Sequence, residues 1–180
     1  MIHDVCLQNL PVIFCLDRAG IVGEDGATHH GVFDLASLRP IPNLIICAPR
    51  DAKALRNIMY TAQLGLNNPI AIRYPRGHGK INDWKTSFEL MAIGVAETLK
   101  HGNQIAVLSI GTMADKVSSA IASITDSSIV SHIDMQFLKP LDETLLHELC
   151  RTHRAIITIE DGNLNGGLGS AVAEFITTNN

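Results

Sequence analysis

The sequence predicts an α/β protein: two small three-layer domains, each a mainly parallel sheet flanked by helices. Three observations carry this. Short, β-branched apolar runs alternate with stretches of helical period along the whole chain. A polar stretch without periodicity divides the series in two. The first strong apolar run ends in a glycine-rich polar loop, as ligand loops do at the carboxyl ends of parallel strands.

Taken in order, Ile2, Val5, Cys6 and Leu10 mark the end of an amphipathic helix. Val12–Leu16, Leu44–Cys47 and Ile70–Arg73 read as buried parallel strands, since continuous apolar runs suit strands covered on both faces. Asp51 to Leu64 reads as a helix. Ala54, Leu55, Ile58, Met59 and Ala62 form its apolar face, Asp51 caps its start and Gly65 ends it. The division falls at 77–89, an interdomain linker between a first domain, 1–76, and a second, 90–180. The second series runs strand (Ile105–Ile110), helix (Val117, Ala120, Ile121 and Ile124, capped by Thr112), then strand (Ile129–Met135). A helix carrying Leu141, Leu145, Leu146 and Leu149 comes next, with Asp142 near its start. Strand Ala155–Glu160 and a final helix from about Gly167, carrying Val172, Phe175 and Ile176, complete it.

The 180 residues carry a net charge of −4, which argues against a nucleic-acid surface. No apolar run reaches membrane-spanning length. The first ten residues lack a basic segment and include Asp4, so they do not read as a signal peptide; a cytoplasmic location is the default. Cys6, Cys15, Cys47 and Cys150 are scattered through apolar segments without CxxC spacing and read as buried free thiols.

The chemistry concentrates after Leu16. Arg18 follows the strand VIFCLD and Arg76 follows AIRYP. If both strands lie in one parallel sheet, both guanidinium groups emerge at the same edge, and two such groups make a clamp for phosphate or carboxylate. The alternative is pairing with surface acids such as Asp17 or Glu24. Asp25 and His29 share a loop with Gly23, Gly26 and Gly31. Glycines let such a loop fold tightly, and a carboxylate can orient a proton-moving histidine; a plain polar surface loop is the alternative. His30 is a neighbour rather than a catalyst. The acids and histidines here form no metal-site spacing. NGGLGS, 165–170, follows a strand and opens a helix, yet matches no phosphate-loop pattern, and its glycines suit close helix–sheet packing. Tyr74 and Trp84 read as packing groups; His78, His101, His132, His147 and His153 read as surface groups.

These segments carry a resemblance over nearly the whole chain. LDRAGIVGEDGATHHGVFDLASLRPIPN, PIAIRYPRG, FLKPLD and IEDGNLNGGLGSAVAEF, in this order, resemble the 1-deoxy-D-xylulose-5-phosphate synthase family of the transketolase superfamily. The resemblance implies transketolase-like domains, both incomplete: the later part of a pyrimidine-binding domain and most of a C-terminal domain. It implies condensation of pyruvate with glyceraldehyde 3-phosphate, with loss of CO2, on thiamine diphosphate and Mg2+, in a cytoplasmic homodimer. Arg18 and Arg76 match arginines that hold the phosphorylated acceptor or the donor-derived intermediate. Asp25 and His29 match positions that contact substrate hydroxyl and carbonyl oxygens. No cofactor-binding or metal-binding residue is carried over. The activating glutamate and the diphosphate-binding domain of the family match nothing in these 180 residues, so the chain alone is expected to be inactive. A transketolase, a 2-oxoacid dehydrogenase β-subunit or a non-catalytic dimerisation module are the rival readings.

Overall fold

The structure is a computed structural model that describes residues 1–79 and 86–179. It contains two four-stranded sheets with helices packed on them, mixed but mostly parallel. The first sheet has the order β1 (Ile13–Leu16), β3 (Ile70–Arg73), β2 (Ile45–Cys47) and β7 (Phe137–Lys139); the second has β4 (Glu97–Lys100), β6 (Val130–Asp134), β5 (Ile105–Ser109) and β8 (Ala155–Ile159). Among the described strands, only β7 and β4, each at a sheet edge, run antiparallel to their neighbours. The helices are α1 (Asp34–Leu38), α2 (Ala52–Gln63), α3 (Met113–Ala122), α4 (Glu143–Thr152) and α5 (Leu168–Asn179).

The pleat explains the layering, because successive strand residues face opposite sides. Ile45, Cys47, Ile70 and Ile72 pack with Ile58 and Ala62 of α2, whereas Ile46 and Ala71, between them in sequence, join a second core. In β5, Val107 packs with Val117 and Ile121 of α3, while Ala106 and Leu108 face that same second core. The second core therefore gathers residues from Cys6 to Phe175, including Leu146 and Leu149 of α4, and lies under both sheets. Burying its leucines and isoleucines contributes about 1.5–3 kcal/mol per side chain.

The chain division and the sheet division differ. β7 lies beyond Ile133 yet pairs with β2, so the second half of the chain completes the first sheet. Of the expected linker, residues 80–85, including Trp84, lie outside the described residues. Residues 86–91 form a strap laid along α2. Arg56 Nη2 donates to Thr86 O (2.6 Å), Glu89 N donates to Asn57 Oδ1 (3.3 Å), and Met91 N donates to Thr61 Oγ1 (2.9 Å). Asn57 and Thr61, buried polar residues on α2, satisfy the strap's backbone in this way.

Several expectations need correction. β1 is an edge strand, not a buried one: Ile13 and Cys15 are exposed, and burial alternates along it. Cys15 is thus an exposed thiol and Cys150 a partly buried one, although Cys6 and Cys47 are fully buried; all are free. Met59 lies 42% exposed, outside the apolar face of α2, and Ala120 and Ile124 are exposed while Val117 and Ile121 are buried. Asp51 caps α2 as expected, accepting from Ala54 N at 2.7 Å, and Asp142 caps α4 by accepting from Leu145 N at 3.0 Å. Thr112, by contrast, makes no side-chain cap bond at α3. The first residues form a single wide turn, Ile2–Cys6. His132 is not a surface group. It is 1% exposed, and its ring bonds Ser109 Oγ (2.8 Å) and Ser118 Oγ (3.2 Å). His153 is half-buried against Ser131.

A second buried group lies two residues beyond His132. Burial pushes the carboxyl of Asp134 up to about 6, against the pull of Arg50 Nη1 (3.2 Å) and Gln136 N (3.2 Å). The ordinary value is 3.8, so between 3.8 and about 6 the native state holds a proton that the unfolded chain has lost. By linkage, this group's contribution makes stability fall as pH rises through that window. Thermal unfolding from pH 4 to 7 should therefore show wild type losing stability relative to Asp134→Asn as pH rises. Parallel curves would refute the assignment.

Candidate functional site

β1 and β3 pair in parallel, with Leu16 opposite Arg73, so both chains leave the sheet at the same edge. The pairing continues past the strands. Tyr74 N donates to Leu16 O (2.9 Å) and Ala19 N donates to Tyr74 O (3.0 Å). Arg18 lies between these bonds with φ 61, a left-handed conformation that costs a non-glycine residue roughly 1–2 kcal/mol. The surrounding bonds hold it there, and such strain concentrates at functional sites.

The loop after Arg18 closes on itself. Gly31 N donates to Arg18 O (2.9 Å) and Gly20 N donates to Gly31 O (3.1 Å). Only glycine fits at 31, since a Cβ there would stand 2.4 Å from Arg18 O. Inside the loop, Val22 N donates to Nδ1 of His30 (2.9 Å), which gives His30 a structural role. His29 ends a 3₁₀ turn, Ala27–His29, and is exposed; its ring shares a 3.0 Å hydrogen bond with Thr28 Oγ1.

The two arginines meet. Arg18 Nε donates to Asp25 Oδ2 at 2.7 Å, and Arg76 Nη1 bonds Asp25 Oδ1. Arg18 also pairs with Asp17, and Arg76 Nη2 pairs with Glu24 at 2.9 Å. Convergence and pairing with surface acids thus occur together. Arg18 first, with Arg76 beside it, holds the Asp25 carboxyl below its usual range, although some desolvation opposes them. Asp25 therefore serves the arginines, and its carboxylate is not the partner of His29, which bonds Thr28 instead. A cavity of about 530 Å³ opens beside them, lined by Ala19, Val22, Glu24, Arg76 and His78. Another of about 400 Å³, including Arg50, Tyr74 and Thr112, meets it at Arg76. Arg76 lines both spaces, whereas Arg18, Asp25 and His29 line neither; Asp25 links Arg18 to Arg76 at their border. Among the described residues, no three His, Cys, Asp or Glu side chains cluster to hold a metal ion.

Behind this surface is a group that sequence reading missed. Arg73, the last residue of β3, is 2% exposed. It donates from Nε to Asp34 Oδ2 (2.7 Å), from Nη1 to Asp161 Oδ1 (2.8 Å) and from Nη2 to Gly31 O (3.1 Å). Burial raises the Asp34 carboxyl above its ordinary value despite Arg73. The available signal was an arginine closing an otherwise apolar buried strand, where an unpaired charge would be costly. At 165–170 the glycines have a structural use. A Cβ at Gly167 would stand 2.1 Å from Glu160 Oε2, and Gly169 N donates to Glu160 Oε1 (3.0 Å), so a carboxylate of the chain itself occupies the start of α5.

Comparison with known proteins agrees with this architecture. The family described as "Transketolase, pyrimidine binding domain" matches residues 1–80, and "Transketolase, C-terminal domain" matches residues 94–180. The chain is 57% identical to 1-deoxy-D-xylulose-5-phosphate synthase of Bacteroides thetaiotaomicron over 178 residues, covering 98% of this chain and 28% of that protein. Against the synthase of Parabacteroides distasonis it is 52% identical, covering 99% of this chain and 28% of the relative. The chain therefore spans less than a third of the length of these relatives. Among solved structures, one described as "Split gene transketolase, inactive beta4 tetramer" superposes with a TM-score of 0.85 at 31% identity, over 99% of this chain and 57% of that one. Transketolase from Campylobacter jejuni shares the fold, with a TM-score of 0.61 at 18% identity over 94% of this chain and 30% of that one. With both domain families matched in order and synthases similar along its whole length, the chain belongs to the transketolase family, as a segment akin to 1-deoxy-D-xylulose-5-phosphate synthases.

Proposed function

We propose that this chain forms the acceptor-binding part of a thiamine-diphosphate-dependent synthase that joins pyruvate to glyceraldehyde 3-phosphate, giving 1-deoxy-D-xylulose 5-phosphate and CO2. Such a reaction feeds isoprenoid precursor, thiamine and pyridoxal biosynthesis. The observation that carries the reading is the meeting of Arg18 and Arg76 on one carboxylate, at the carboxyl edge of adjacent parallel strands. The identity to synthases supports this reaction over that of other transketolase-type enzymes, for which a two-arginine clamp would serve equally.

In this reading Arg18 and Arg76 hold the acceptor's phosphate, which takes over donors now given to Asp25. Asp25 keeps the empty clamp assembled and then, with His29, faces the acceptor's oxygens. Bound thiamine diphosphate supplies the electron sink for decarboxylation and carbon–carbon bond formation. The Mg2+ and diphosphate side of the site is assigned to other parts of a complete synthase, because the family's diphosphate-binding motif matches nothing in these 180 residues. A cytoplasmic homodimer is the assembly we propose for it.

Two measurements on the purified chain test the division. Calorimetric titration with glyceraldehyde 3-phosphate should show binding that Arg18→Gln weakens by about tenfold or more. Supplied with thiamine diphosphate, Mg2+ and pyruvate, the chain should release no CO2. Absence of acceptor binding would overturn the clamp, and turnover would overturn the assignment of the cofactor's activation to other parts.

A further inference from the structure

We propose that Arg73 is the positioning residue of this site: through Gly31, Asp34 and Asp161 it fixes both ends of the 19–31 loop, and thereby the left-handed turn that aims Arg18. The proposal rests on the clamp reading only for its consequence for an anion; its geometry stands independently.

The loop has an exit and an entry, and Arg73 reaches both. At the exit its Nη2 donates to Gly31 O, and its Nε donates to Asp34, the first residue of α1. Asp34 is held from the other side, since its Oδ1 accepts from Leu35 N at 2.7 Å. At the entry the action runs through Asp161. Its Oδ1 accepts from Arg73, and its Oδ2 lies where a Cβ on Gly20 would stand 2.3 Å away. The Gly20 backbone therefore lies close against that carboxylate, in a left-handed conformation with φ 72. Gly20 N and Arg73 Nη2 then converge on a single acceptor, Gly31 O, while Gly31 N returns to Arg18 O. Displacing Arg73 would loosen Gly31, and with it the bond that holds Arg18 in its left-handed turn.

The arrangement crosses the molecule. Arg73 is on β3 of the first sheet; Asp161 follows β8 of the second. The second half of the chain thus sets the shape of a loop encoded in the first, and does so without touching the clamp itself. This role requires a guanidinium: three acceptors in three directions take donors from Nε, Nη1 and Nη2, whereas a lysine offers one compact charge.

Arg73→Lys and Asp161→Asn, made in the full chain, test this with two readouts. Amide hydrogen exchange at Gly20 and Gly31 should quicken by about tenfold, the scale of one lost hydrogen bond to a charged group, while β5 keeps its protection. Affinity for inorganic phosphate should fall by a similar factor, with Arg18→Gln as the control that lowers it at least as far. Uniform quickening in both sheets would mean that the residue only supports the fold, and would overturn the proposal. Unchanged exchange and affinity in Asp161→Asn would overturn it as well, and that variant decides the matter should Arg73→Lys unfold. If the wild-type chain binds no phosphate, the clamp reading fails, and amide exchange alone decides the positioning role.

Discussion

Replacing His29 with alanine in a complete synthase carrying this segment is expected to lower turnover by about 10²–10⁴-fold, the range for loss of a positioned proton-transfer group. The structure makes His29 available for such work. It is exposed at the end of a 3₁₀ turn, and its ring bonds only the hydroxyl of its neighbour Thr28 among the bonds observed. His30, one residue on, is tied by Val22 N to the loop, so the adjacent substitution His30→Ala should disturb the loop rather than the chemical step. Steady-state kinetics separate the outcomes. A fall in turnover with a modest change in KM supports proton handling by His29. A rise in KM at constant turnover would reduce His29 to a hydrogen-bonding group for a substrate oxygen, and unchanged kinetics would refute any role.

The second large effect is expected at the clamp. Arg18→Gln in the same complete enzyme should raise KM for glyceraldehyde 3-phosphate by about 10–150-fold, the range for loss of a charged hydrogen bond. Solvent places the result toward the low end, because the Arg18 side chain is 38% exposed and that of Arg76 43%. A second contribution acts in the opposite direction. Without Arg18, the Asp25 carboxylate loses the partner that most lowers its pKa and faces the incoming phosphate with less compensation. Asp25→Asn on top of Arg18→Gln should therefore recover part of the lost affinity. Equal KM values for pyruvate in wild type and Arg18→Gln would confine the effect to the acceptor; a loss on pyruvate alone would contradict the assignment.

The sequence by itself determined most of the elements and marked out the candidate site residues. Alternating β-branched runs and helical stripes gave most strands and helices to within a few residues, because burial imposes periods of 2 and 3.6 on local composition. Arg18, Asp25, His29 and Arg76 stood out because charged residues clustered after strand ends have little use in a core. What escaped was everything set by distant partners. β7 and β4 are short edge strands, and nothing in Phe137–Lys139 says that it will pair with β2 rather than with its own half of the chain. Edge position also left one face of β1 exposed, which an apolar run cannot announce. His132 is buried because Ser109 and Ser118 satisfy its ring from β5 and α3, and lone histidines carry no mark of such partners. Asp25 went to the arginines rather than to His29 because two guanidinium groups, brought together by the pairing of β1 with β3, offer a carboxylate more charged donors than one imidazole does. Arg73, Asp34 and Asp161 lie far apart in sequence and meet only when both sheets share one core. Local pattern encodes which face is buried; only the assembled tertiary structure decides which charges are buried together, because that depends on long-range pairings that leave no local period.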